Sequence, residues 1–199
     1  FIIKPGEGIA LYQEQATGDA LVRYRFMFEW DEESNVPPAQ MISFNVSTSS
    51  VYFGVVSPAL TRYASSTNPQ GSNTESDAHT SEVNTNAVNG YTVTVKGRTL
   101  SSLSSSIAAI GGTSTTSQAG TEQFGIRLTA SGGSGSVTVP YASSGFAYAA
   151  TATTSSQVAS ASVGDNATTT YAVRYVANIA PVTAADVYTA NLVYVVTAN

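Results

Sequence analysis

Between Ala20 and Trp30 the chain reads ALVRYRFMFEW, and this stretch narrows the possible folds more than any other. Its even positions, Ala20, Val22, Tyr24, Phe26, Phe28 and Trp30, are all apolar. Its odd positions, Leu21, Arg23, Arg25, Met27 and Glu29, are mixed and carry the charge. A strand sends successive side chains to opposite faces, so the segment presents one apolar face and one wetter face. Six apolar side chains on one face require a second sheet to cover them.

The remainder of the chain reads as more strands. Ile42, Phe44 and Val46 alternate with Ser43, Asn45 and Ser47, and Val51, Phe53 and Val55 repeat the pattern. Asn89-Gly90 is a turn signal ahead of Tyr91, Val93 and Val95. Phe124, Ile126 and Leu128 are divided from Val137 and Val139 by the glycine-rich Ser131–Gly135. Strands follow over Gly145–Ala150, Gln157–Ser162, Thr169–Val176 and Val187–Thr197. Tyr171, Val173 and Tyr175 share one face, as do Tyr188, Ala190, Leu192, Tyr194 and Val196. Ser65–Ala78 is polar and without period, and reads as a long exposed loop. Leu100, Leu103, Ile107 and Ile110 stand at helical spacing, with Thr99 as N-cap and Gly111-Gly112 as a stop. The expected fold is therefore all-β: an antiparallel β-sandwich or jelly roll with one short helix over Leu100–Ile110. A parallel α/β fold is excluded for lack of crossover helices.

Composition bounds the partners. Of 199 residues, 42% are hydrophobic, too many for a disordered chain. Only 11% are charged, and the net charge is −5. A nucleic-acid groove needs a basic stripe, so nucleic acid is not an expected partner. No apolar run reaches the roughly 20 residues of a membrane helix, so membrane insertion is not expected. Cysteine is absent, which removes disulfides and thiolate metal sites. The chain opens at Phe1 with no basic leader, the reading of a processed, extracellular form.

About half of all charges fall in residues 1–34. Asp31–Glu33 and Asn35-Val36-Pro37-Pro38 close that block, since paired prolines cannot continue a ladder. The expected organisation is an N-terminal β arm or strand-exchange segment, 1–34, and a sandwich body, 35–199, with the boundary in Ser34–Ala39. Val22, Tyr24, Phe26, Phe28 and Trp30 are then the expected subunit interface, filling alternating pockets of a neighbour by strand addition.

The runs NGYTVTVKGRTL, IGGTSTTSQAGTEQFGIRLTASGGSGSV and YAVRYVANIAPVTAADVYTANLVYVVTAN resemble uncharacterised β-sandwich proteins of bacterial surfaces. The closing TAADVYTANLVYVVTAN is similar to the last strand of spore-coat-U-like and camelysin-like domains, some of which build fibres or pili by lending a strand to a neighbour. The disulfide usual in pilin-type relatives has no counterpart here. The resemblance implies an extracellular structural role at the cell surface, a self-assembling homo-oligomer, and no catalytic residues.

Chemistry-bearing residues are few. Glu75, Asp77 and His79, with Glu82 beyond, would point one way in an extended segment, an arrangement fit for a divalent cation such as calcium; the plainer reading is a solvated loop. Asp165-Asn166 is a second calcium candidate in a turn. A Ser/His/Asp triad would have to use His79, the only histidine, with no nucleophile elbow nearby. Glu7, Glu14 and Glu29 alternate with apolar positions as a solvated outer face does, so a glycosidase pair is not expected. Ser131–Gly135 lacks the Lys-Ser/Thr of a phosphate loop. Asn45-Val46-Ser47 and Asn166-Ala167-Thr168 fit the glycosylation sequon, which so Ser/Thr-rich a chain produces by chance. Most of the 11 tyrosines lie in phase with strands and read as packing, whereas Tyr63 and Tyr141 sit near loops as candidate ligand contacts. The sequence thus supports no enzyme and no cofactor beyond calcium. It favours a filament or surface-layer subunit over a carbohydrate-binding adhesin module or a jelly-roll capsid protein.

Overall fold

The computed structural model describes residues 39–199. The chain divides into two units between Pro37 and Pro38, inside the Ser34–Ala39 segment. The proposed interface residues Val22, Tyr24, Phe26, Phe28 and Trp30 lie outside the described residues.

Eleven strands are described: β1 (Ile42–Val46), β2 (Arg62–Tyr63), β3 (His79–Thr85), β4 (Tyr91–Gly97), β5 (Gly111–Thr115), β6 (Gln123–Gly132), β7 (Ser136–Val137), β8 (Phe146–Tyr148), β9 (Ser156–Ala161), β10 (Thr169–Asn178) and β11 (Leu192–Ala198). All pair antiparallel. One sheet runs β1-β3-β10-β6-β8-β5, with β2 also on β10; the other runs β11-β4-β9-β7. Between these strands the chain changes sheet seven times, and three of these changes, between β3 and β4, between β6 and β7, and between β9 and β10, link strands that are neighbours in one sheet to strands that are neighbours in the other. Neighbours β3 and β10 in one sheet therefore continue into neighbours β4 and β9 in the other. A long hairpin wrapped over two sheets in this way is the jelly-roll form of the sandwich.

Alternation explains the core. In β4, Tyr91, Val93 and Val95 are buried while Thr92, Thr94 and Lys96 face outward. In β10, Tyr171, Val173 and Tyr175 meet them from the opposite sheet, joined by Val83, Phe124, Ile126 and Leu128. Asn89-Gly90 makes the passage from β3 to β4, and Gly90 (φ +68°) is required there: a Cβ would lie 2.1 Å from the Ala161 carbonyl oxygen. A smaller apolar group covers the outer face of the larger sheet, where Tyr63 packs on Phe146 with ring centroids 6.0 Å apart. That cover explains why β10 loses its alternation after Tyr175 and is buried throughout Val176–Asn178.

Two local expectations need correction. Among the described residues there is no helix, and Leu100–Ile110 is an irregular loop. Leu100 and Ile107 are buried while Leu103 stands fully in solvent. The backbone folds on itself, the Ile107 N–H donating to the Leu100 carbonyl at 2.8 Å and the Ser101 N–H to that of Thr189 at 2.8 Å. Serines at five of the intervening positions supply turn-forming hydroxyls instead of helix propensity. Val51, Phe53 and Val55 also do not form a strand: Gly54 turns left-handed (φ +66°), so Val51 and Phe53 pack on the core while Val55 is exposed.

Candidate functional site: an open, uncharged edge of the sandwich

Glu75 and Asp77 are committed to arginines. Arg127 and Arg174 stand directly opposite each other across β6 and β10, on the outer face of the sheet. Two like charges in that position repel. Glu75 lies between them, paired with Arg127 and 3.5 Å from Arg174 Nη1, while Arg174 Nε donates to Asp77 Oδ1 at 2.6 Å. The loop Ser65–Ala78 thereby supplies the anions that make a cross-strand arginine pair tolerable. His79 goes the other way. It opens β3 facing the core, and its Nε2 shares a 2.8 Å hydrogen bond with the Tyr175 hydroxyl, which is itself 2.8 Å from the Tyr194 hydroxyl. Strand alternation holds only inside the strand; Asp77 precedes it, so Asp77 and His79 do not share a face. No group of three His, Asp or Glu residues able to hold a metal ion is found among the described residues. Burial lowers the pKa of His79 below its ordinary value, with the Thr80 carbonyl opposing weakly.

Among the described residues, Tyr91, Tyr141, Tyr148, Tyr171 and Tyr175 are core residues with satisfied hydroxyls, whereas Tyr52 is exposed. Tyr91 and Tyr171 share a buried 2.7 Å hydrogen bond, and Tyr148 donates to the Gly97 carbonyl at 2.8 Å. Tyr141 is fully buried and donates to Ser156 Oγ at 2.8 Å, so a loop position in sequence became a core position in space. Desolvation pushes Tyr148 up to about 12 and raises Tyr171, Tyr175 and Tyr194 as well. Asp165 accepts from the Ala167 N–H at 3.0 Å, an ordinary Asx turn.

The feature that stands out lies along one side of the sandwich, where β1 ends one sheet and β11 ends the other. In an antiparallel pair, directly opposed residues point to the same face. Ile42 and Phe44 are opposed to Thr85 and Val83, both buried. They therefore face inward, yet Ile42 remains 39% and Phe44 36% exposed. On β11, Leu192, Tyr194 and Val196 are opposed to Gly97, Val95 and Val93, again inward, and are only half-buried. On the outer face of β11, Val193 and Val195 are 48% and 43% exposed. Among the described residues nothing pairs with the second edge of β11.

Edge strands ordinarily carry charge, proline or a bulge that discourages further pairing. β11 has none of these: Val187–Asn199 contains no charged residue and no proline, and the β11–β4 register is unbroken over seven residues. Of the other edges, β1 is likewise uncharged and in unbroken register, over five residues, but the remaining two differ. β5 is a Gly-Gly-Thr-Ser-Thr strand whose register with β8 is irregular, and β7 has two residues. At the start of β11 lies a shallow cavity of about 300 Å³ lined by Lys96, Arg98, Asn191 and Val193. Sequence reasoning identified β11 but not its edge position. The signal available was the thirteen-residue absence of charge at the end of the chain.

In comparisons with known proteins, no family model, no curated protein and no solved structure matches this chain.

Proposed function

We propose that the chain is a structural subunit of an extracellular bacterial filament or surface layer, assembled by adding a strand of one copy to the sandwich edge of the next. One observation carries this reading. Among the described residues, β11 offers seven residues of uncharged backbone with one edge unpaired, beside inward-facing side chains that pack on the core but are only half-buried. Strand addition would satisfy the free backbone groups and dry Leu192, Tyr194 and Val196 in one step. Segment Ala20–Trp30 has the complementary character, with apolar side chains at every second position. The resemblance of the closing strand to fibre-forming surface domains points the same way.

Electron microscopy of the purified chain, with sedimentation across a concentration series, tests the proposal. Filaments or sheets growing with concentration are expected; particles of single-chain mass at every concentration would refute it. The jelly-roll strand order favours a second reading, a capsid protein, for which closed shells of uniform diameter are the expected image.

A further inference from the structure

Resting on that reading, we infer that β11 receives Ala20–Trp30 of a second copy in the antiparallel sense, steered by Lys96 and Arg98. The body is poor in cations, and these two stand together where β11 begins. Lys96 is opposed to Val193 across the β11–β4 ladder, and Arg98 follows Gly97 at the end of β4. Both are exposed, and neither belongs to an ion pair among the described residues.

The incoming segment is electrically asymmetric on its non-apolar face. Arg23 and Arg25 lie toward its start, Glu29 and Asp31 toward its end, and Glu32-Glu33 follow. An antiparallel approach brings the acidic end to Lys96 and Arg98. A parallel approach brings Arg23 and Arg25 there, cation against cation.

Face matching narrows the register. The apolar side must share the inward face with Leu192, Tyr194 and Val196. Placing Trp30, the last apolar even residue, opposite Leu192 sets Phe28 opposite Tyr194 and Phe26 opposite Val196. On the outer face Glu29 is then opposite Val193 and in line with Lys96, while Asp31 is in line with Arg98. Two strand spacings amount to about 9.6 Å, within the combined reach of a lysine and a glutamate lying over Val193.

The chain has no cysteine, so introduced thiols report pairing cleanly. Glu29→Cys chains mixed with Val193→Cys chains under oxidation are expected to give a disulfide dimer absent from either variant alone. Reversing the acceptor charges in Lys96→Glu/Arg98→Glu should raise the concentration for half-assembly by about tenfold, and molar salt should erase most of the difference. Glu29→Lys/Asp31→Lys in the donor should restore assembly to the reversed acceptor. A dimer from Arg23→Cys with Val193→Cys would make the strands parallel and overturn the inference. So would cross-linking confined within single Glu29→Cys/Val193→Cys chains. If wild-type chains polymerise but neither mixture cross-links, the acceptor edge lies elsewhere and strand addition itself stands. If wild-type chains do not polymerise and no mixture cross-links, both proposals fall.

Discussion

Polar atoms inside this sandwich are few, and their pairing sets what single substitutions cost. Tyr171→Phe removes one hydroxyl of the buried Tyr91–Tyr171 pair and strands the other, so we expect a loss of about 1–2 kcal/mol. Adding Tyr91→Phe should cost little more, because no orphan remains; a double-mutant cycle by urea denaturation measures the coupling. His79 gives a pH signature. Its folded pKa is lowered, so the unfolded chain binds the proton first as pH falls below about 6.5. Stability is thus full above that pH and declines below it, until the folded pKa is reached. The groups facing the ring, Tyr175 and Tyr194, are neutral there and offer no compensating charge. The slope just below pH 6.5, at most about 1.4 kcal/mol per pH unit, should flatten in His79→Gln; an unchanged slope would remove His79 as its source. On the outer face, Glu75→Gln leaves Arg127 opposite Arg174 without its shared anion. We expect a loss of about 1 kcal/mol in low salt, shrinking in 1 M NaCl as the repulsion is screened.

Among the elements, β11 is where structure and function meet. Val196→Lys puts an inward-pointing charge on the free edge, the device natural sheets use against pairing. Circular dichroism should retain its strand signature, with melting a few degrees lower, while sedimentation shows no assembly; assembly at wild-type concentrations would mean the edge is not used. The strands β4, β10 and β11 were legible in the sequence because their apolar residues alternate with outward-facing ones; β3 was not, because its inward positions, His79, Ser81, Val83 and Thr85, are mostly polar. Ile42–Val46 was legible as a strand but not as an edge, because its inward side chains lack cover and position within a sheet is a long-range property. Leu100–Ile110 misled because its four apolar residues share helical spacing by accident: Leu103 faces solvent and only Leu100 and Ile107 anchor the loop. Glu75, Asp77 and His79 misled for a related reason, since the alternation that would align them begins only at His79.

For the molecule as a whole, the sandwich followed from alternation and turn chemistry, but the jelly-roll strand order did not, because pairing partners as far apart as Arg62 and Ala177 leave no local mark. The same holds for the open side between β1 and β11: its residues were visible, its openness was not. The described unit has its own core of buried residues from both sheets, so residues 35–199 are expected to fold alone. That makes one comparison decisive. The full chain and the chain beginning at residue 35 should be purified alike and imaged by electron microscopy at matched concentrations. Filaments or sheets from the full chain, with dispersed folded monomers from the shortened one, are the expected result; equal assembly by both, or assembly by neither, would contradict strand addition.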